Sequence, residues 1–124
     1  RTRKAIDSSK MLTSLVQQAS KLHIIESVSY MDMLVLEKHA IAILTDSGGV
    51  QKEAYFHRTP CITMRGETEW TETVEAGWNT LVGTDSEKIL HALANLVVPN
   101  SEISEYGTGK AALTIIDFIC KSEY

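Results

Sequence analysis

Five consecutive apolar residues, Ala40-Ile41-Ala42-Ile43-Leu44, followed at once by Thr45-Asp46-Ser47-Gly48-Gly49, leave this chain few ways to fold. A strand wetted on one face alternates apolar and polar residues. A continuous apolar run of strand length reads instead as a strand buried on both faces, as in a parallel sheet. Parallel strands need crossover connections, usually helical, and the rest of the sequence supplies them.

Apolar spacing predicts a helix over residues 4–20, carried by Ile6, Met11, Leu12, Leu15, Val16 and Ala19. Residues 22–25 form a short apolar run, too short for a helix, that reads as a strand. A short helix is predicted over 30–38, the apolar strand over 40–44, and a helix over 50–57 that Arg58-Thr59-Pro60 breaks. Residues 61–64 read as the next strand, 65–69 as a polar loop, and 71–76 as a short helix stopped by Gly77. A strand over 80–82 leads to a helix opened by a Thr84/Glu87 capping pair, with Ile89, Leu93, Leu96 and Val97 on one face and Pro99 as its end. A last helix over 111–120 follows Gly107-Thr108-Gly109 and carries Ala112, Ile115, Ile116 and Ile119. Strands alternating with helices make this an α/β domain: a Rossmann-like parallel sheet with helices on both faces. The 124 residues are enough for one domain.

The formal charge of −4 argues against nucleic acid as a partner, because neutralising phosphate backbones takes clustered Lys and Arg. No apolar run is long enough to span a bilayer, and the N-terminus does not resemble a signal peptide, so a cytoplasmic location is expected. Cys61 and Cys120 lack metal or redox spacing and read as buried reduced thiols. His23, His39, His57 and His91 are scattered, and no metal site is expected.

Ligands of doubly wound sheets bind beyond the carboxyl ends of the strands. The segment in that position is Thr45-Asp46-Ser47-Gly48-Gly49-Val50-Gln51-Lys52-Glu53. Adjacent glycines admit a ligand close to the backbone. The N–H groups and dipole of the following helix can hold phosphate without a basic side chain. Ser47 can add a hydroxyl donor, and Glu53, about one turn in, can accept from ribose hydroxyls. The same residues also suit a plain tight turn with an N-cap. The sequence is not a Walker A loop and lacks G-x-G-x-x-G. Loop 65–72 should reach the same sheet edge. Its Glu69 and Glu72 fit acid–base chemistry or a helix N-terminal turn equally well, and Trp70 and Trp78 fit either core or ligand platform.

Ile43 to Ala54 closely resembles the hallmark segment of non-hydrolysing UDP-N-acetylglucosamine 2-epimerases. The resemblance continues through Thr59-Pro60-Cys61, Met64-Arg65, Thr68-Glu69, Glu75-Ala76-Gly77, Leu81-Val82-Gly83-Thr84-Asp85 and Tyr106-Gly107-Thr108-Gly109-Lys110-Ala111, and includes Arg1-Thr2-Arg3. It implies one half of a two-domain GT-B-type fold, with this chain as the C-terminal nucleotide-binding domain and an N-terminal domain as its missing partner. It implies a UDP-sugar ligand and no cofactor. Ser47, Gly48 and Gly49 would hold the UDP phosphates and Glu53 the ribose, with Met33, Arg65, Glu69 and Trp70 completing the substrate-binding set. The family reaction removes the C2 proton, expels UDP to give a glycal and adds UDP back on the other face. The carboxylates for this lie mainly in the first domain, and a family His-Pro histidine is absent here, so no catalytic residue is assigned and the isolated chain is expected to be inactive.

Two positions depart from the family pattern. Met33 stands where many members place an aromatic residue near the uracil, and Trp70 stands where the UDP-N-acetylglucosamine enzymes have an arginine. The run from Gly66 to Glu72 looks more like the branch acting on UDP-2,3-diacetamido-glucuronic acid. Competing readings are the donor domain of a GT-B glycosyltransferase and a non-catalytic nucleotide-binding module. A start without Met, inside a family motif, leads us to expect a piece of a longer protein. Its Ile115/Ile116/Ile119 stripe is then expected to lack its cover and to favour a homodimer.

Overall fold

The structure, a computed structural model, describes residues 2–101, 104 and 106–121; Arg1, part of the Arg1-Thr2-Arg3 match, lies outside them. Seven helices and three strands are described, in the order α1 (Thr2–Ser8), α2 (Lys10–Gln18), α3 (Tyr30–His39), β1 (Ile43–Thr45), α4 (Gly48–His57), β2 (Cys61–Thr63), α5 (Thr71–Glu75), β3 (Asn79–Leu81), α6 (Ser86–Ala94) and α7 (Ala111–Lys121). The strands form one parallel sheet in chain order, with Ile43 opposite Cys61 and Cys61 opposite Asn79. Residues 61, 62 and 63 point alternately to the two faces, yet all three are buried, so the central strand is covered on both sides. The α/β parallel-sheet architecture expected from the apolar run is present.

The core is small and centred where α4 meets the sheet. Ile43, Ala54 and Cys61 form the buried cluster, with Ala40 and Val50 packed against it. Gln51, Ala54 and Tyr55, at helical i, i+3, i+4 spacing, are the buried face of α4. Arg58, at φ 61°, ends α4 in the left-handed conformation, its N–H donating to the carbonyls of Ala54 and Tyr55. Trp78 is a core residue: it is buried, its ring lies edge-on to Tyr55 at 6.1 Å, and its Nε1–H donates to the Ser101 carbonyl.

Several local expectations are corrected. Residues 22–25 form no strand; Leu22, Ile24 and Ile25 are exposed, and among the described residues no strand pairs with the outer edge of β1. A four-residue apolar run carries no period, and without a partner strand it has nothing to bond. Of the five-residue run over 40–44, only Ile43 and Leu44 enter the strand, because Ala40 caps α3 and Ile41 is exposed. The N-terminal helix breaks at Ser9, whose extended backbone and side chain cap α2. Asp85, not Thr84, caps α6, accepting from the N–H groups of Glu87 and Lys88. That helix ends at Asn95, ahead of Pro99. Gly77 stops α5 as expected, at φ +81°. Cys61 is buried and its thiol is pushed up by that burial, but Cys120 is exposed on α7. The α7 stripe is open: Ile115, Ile116 and Ile119 are each more than half exposed.

One buried group was not foreseen. Glu37 of α3 is 2% exposed, and neither carboxyl oxygen has a hydrogen-bond partner among the described residues. Burial, and then the negative charge of Glu53, raise its carboxyl above the ordinary 4.5. The folded chain therefore holds this proton more tightly than the unfolded one. The fold gains from it below about pH 4.5 and loses that gain as pH rises through the raised value. Glu37→Gln keeps the shape and removes the linkage. Its melting temperature relative to wild type is expected to climb with pH from the ordinary carboxylate range upward; a gap that stays constant from pH 4 to pH 8 would refute a raised Glu37.

Candidate functional site

The site grows from the way α4 begins. Ser47 holds an extended backbone at φ −86°, ψ 124°, and its carbonyl accepts the Gln51 N–H at 3.2 Å as the first helical bond. Ser9, Ser29 and Asp85 cap their helices through their side chains, whereas the Ser47 hydroxyl makes no such bond and is exposed. The first N–H groups of α4 have no carbonyl one turn back to bond. An exposed hydroxyl thus stands at the positive end of a ten-residue helix.

The two glycines differ. A Cβ on Gly48 would fall 2.5 Å from Glu69 Oε1 and 3.2 Å from Trp70 Nε1, so the missing side chain makes room for the loop from β2. A Cβ on Gly49 would meet only Ser47 Oγ, at an ordinary 3.8 Å, and Gly49 is exposed. Nothing internal requires the second glycine.

The β2–α5 loop is held against α4 by a buried polar network. Gln51 Oε1 accepts from Thr68 Oγ1 at 2.6 Å and from Asn79 Nδ2 at 2.9 Å. Thr63 Oγ1 donates to Asn79 Oδ1 at 2.6 Å. Trp70 is tied at both backbone ends: its N–H donates to Thr68 Oγ1 and its carbonyl accepts from Thr73 Oγ1. The Lys52 ammonium lies 4.3 Å from the centre of the Trp70 ring and 4.9 Å from that of Tyr106. Arg65 pairs with Glu69 at 3.3 Å; both are substantially exposed, which makes the pair a weak tie. Glu72 takes the first turn of α5, as a helix-terminus acid would.

Further along α4, Glu53 faces α3. As hydrogen-bond acceptor first and negative charge second, it pushes the Tyr30 phenol above its ordinary value. Tyr30, Met33 and Glu37 share a face of α3 by their i, i+3, i+7 spacing, which sets Met33 on the side that meets α4. The structure therefore brings Ser47, Gly48, Gly49, Arg65, Glu69 and Trp70 together at the start of α4, and sets Glu53, little more than a turn on, toward Tyr30 and Glu37 of α3, the helix that also carries Met33. Sequence reasoning missed Gln51, Thr68 and Asn79 as the frame of this arrangement. A signal was available, because Gln51 falls on the stripe of Ala54 and Tyr55, where a polar residue must find buried partners. Among the described residues no three His, Cys, Asp or Glu side chains converge as a metal ion requires, and no helix is long and apolar enough to cross a membrane.

Comparison with known proteins gives the following. The family described as UDP-N-acetylglucosamine 2-epimerase matches residues 1–120. A UDP-N-acetylglucosamine 2-epimerase homolog of Methanococcus maripaludis is 44% identical over 121 residues, covering 96% of this chain and 33% of that protein. The UDP-2,3-diacetamido-2,3-dideoxy-D-glucuronate 2-epimerase of Pseudomonas aeruginosa is 38% identical over 105 residues, covering 82% and 29%. Among solved structures, the Methanocaldococcus jannaschii UDP-GlcNAc 2-epimerase in complex with UDP-GlcNAc and UDP superposes with a TM-score of 0.77 at 41% identity, covering 97% of this chain and 33% of that one. The chain thus spans about a third of the length of the relatives it matches.

Gly48→Ala tests the loop packing. Gly48 has no positive φ, and the nearest atom to the new methyl is the tip of a flexible Glu69 side chain. Melting is expected to stay within about 4 °C of wild type, with a shift in tryptophan emission as Trp70 is displaced. A fall of about 10 °C or more would show that the loop cannot yield.

Proposed function

The chain belongs to the UDP-N-acetylglucosamine 2-epimerase family, and we propose that it is the nucleotide-binding part of such an enzyme, belonging to the C-terminal domain of a two-domain fold. The observation that carries this reading is the start of α4: an uncommitted Ser47 hydroxyl, open first-turn N–H groups and an unobstructed Gly49, with Glu53 on the following turn facing Tyr30 of α3. The diphosphate sits on the N-terminus of α4, Ser47 donates to it, and Gly49 lets it approach the backbone. Glu53 accepts from the ribose hydroxyls. Met33 covers the base with a polarisable thioether in place of an aromatic ring.

The parent enzyme interconverts epimers at C2 of a UDP-linked 2-acetamido sugar by eliminating UDP and adding it back. The binding half holds UDP through both steps, so the leaving group is still in place when it returns. The groups that move the C2 proton are assigned to the remaining two-thirds of the parent, and the 124-residue chain alone binds without turnover. The sequence Gly66-Glu67-Thr68-Glu69-Trp70-Thr71-Glu72 and the 38% identity to the Pseudomonas enzyme support a uronic-acid substrate; the higher identity to the Methanococcus protein supports UDP-N-acetylglucosamine.

Calorimetric titration with UDP tests this reading. Wild type is expected to bind, and Ser47→Ala and Glu53→Ala each to weaken binding about tenfold, the scale of one lost hydrogen bond to a charged group. A folded wild-type chain that fails to bind UDP would overturn it. The open α7 stripe is proposed to pair two copies of the chain. Sedimentation should show a dimer that Ile116→Asp disperses, and a wild-type monomer would remove that idea.

A further inference from the structure

One lysine of α4 lies between two aromatic rings that come from distant parts of the chain. The Lys52 ammonium is 4.3 Å from the centre of the Trp70 ring, in the β2–α5 loop, and 4.9 Å from that of Tyr106, ahead of α7. Both distances lie within cation–π reach. The next turn of α4 packs Tyr106 as well. Tyr55 and Phe56, three and four residues after Lys52, bring their ring centres to 5.3 and 5.4 Å from it. Further back, the same segment is tied down again. The Trp78 indole N–H donates to the Ser101 carbonyl at 2.8 Å, and the Ser101 hydroxyl donates to the Ala76 carbonyl at 2.6 Å. Immediately after Tyr106, Gly107 and Gly109, at φ +71° and +76°, turn the chain into α7, a helix with no buried residue. The point from which α7 departs is therefore set by Tyr106.

We propose that Lys52 is a positioning residue that couples the candidate nucleotide site to the α7 arm, with Tyr106 as the catch on the arm. The ammonium holds the β2–α5 loop and the arm in one arrangement, so a ligand that settles the loop beside Gly48 also settles the root of α7. A lysine stem has several rotatable bonds, and fixing the ammonium over one ring already removes the freedom that fixing it over the second would cost. The two ring contacts therefore reinforce each other. Linkage makes the effect mutual: releasing the arm loosens the ligand by the same factor by which the ligand tightens the arm. This inference rests on the reading of the α4 N-terminus as the diphosphate site and goes beyond it, since neither Lys52 nor Tyr106 belongs to the assigned binding set.

UDP titrations of the whole chain test it. Lys52→Met keeps the stem and removes the charge; Tyr106→Leu removes the ring, and Tyr106→Phe keeps it. Lys52→Met and Tyr106→Leu are each expected to weaken UDP about threefold, the scale of one cation–π contact at a partly exposed site. The double variant is expected to bind no more weakly than either alone, with Lys52→Arg and Tyr106→Phe near wild type. Trypsin reads the coupling from the other end: UDP is expected to slow cleavage after the exposed Lys110 in wild type and not in Lys52→Met. That comparison decides the matter should Tyr106→Leu melt early, and protection that survives in Lys52→Met would overturn the coupling. A loss in Lys52→Met with none in a folded Tyr106→Leu would mean that Lys52 acts on the ligand by charge alone, and losses that multiply in the double variant would mean two independent effects; either result overturns it. Wild type that fails to bind UDP, or binds it with no dependence on Ser47, would instead displace the diphosphate site, and the coupling with it.

Discussion

One side-chain carbonyl ties the functional end of this domain together. Gln51 Oε1 receives a hydroxyl from the β2–α5 loop and an amide from β3, while its own backbone belongs to α4. Both lone pairs of that oxygen are used, and the residue is fully buried. Take it away, and the part-buried Thr68 hydroxyl loses its acceptor while the buried Asn79 amide keeps only its longer bond to Thr73 Oγ1, a loss of about 1 kcal/mol for each bond. The crossover helix, the loop beyond the central strand and the third strand hold a common geometry because they share this atom. With Ile43, Ala54, Tyr55, Cys61, Ile62, Trp78 and Val82 as the buried apolar core of the described residues, directional bonds specify a shape that packing alone would leave loose.

The network also separates two glycines that look alike in the sequence. Gly48 is small because Glu69 and Trp70 come close to it; Gly49 is small with nothing against it. One absence of a side chain serves the protein's own packing and the other leaves a surface open. The pattern Ser-Gly-Gly therefore merges a structural requirement with a binding requirement, and only the geometry of the β2–α5 loop tells them apart.

What could be read beforehand follows from how far each signal reaches. The apolar run before Thr45 and the Ser-Gly-Gly turn after it are local statements about one strand and one helix start, and both were legible. So was Gly77, whose positive φ ends α5. Residues 22–25 misled because apolar character announces burial without naming a partner strand, and none pairs with them among the described residues. Thr84 reads as a cap because Asp85, its neighbour, makes the same kind of bond one residue later, at the start of the helix itself. Spacing marks Gln51 as buried but not its partners: Thr68 lies 17 residues from Gln51 and Asn79 lies 28, and only the fold brings them to the same oxygen. The crowding of Glu37 against Glu53 is of the same kind, joining residues of two packed helices.

The register of the sheet has a bearing on how the chain finds this structure. Ile43 pairs with Cys61 and Cys61 with Asn79, so that each parallel pairing joins residues 18 apart. The two crossovers close loops of equal length and carry nearly equal entropic penalties, and neither has a head start. Both need β2, which pairs on both sides. The sheet can therefore assemble outward from its middle strand in either direction, through contacts that are short-range for a parallel architecture. That places its nucleation on the faster side of what such topologies allow. The contact from Asn79 back to Gln51 spans 28 residues, so its loop closure costs more than either strand pairing.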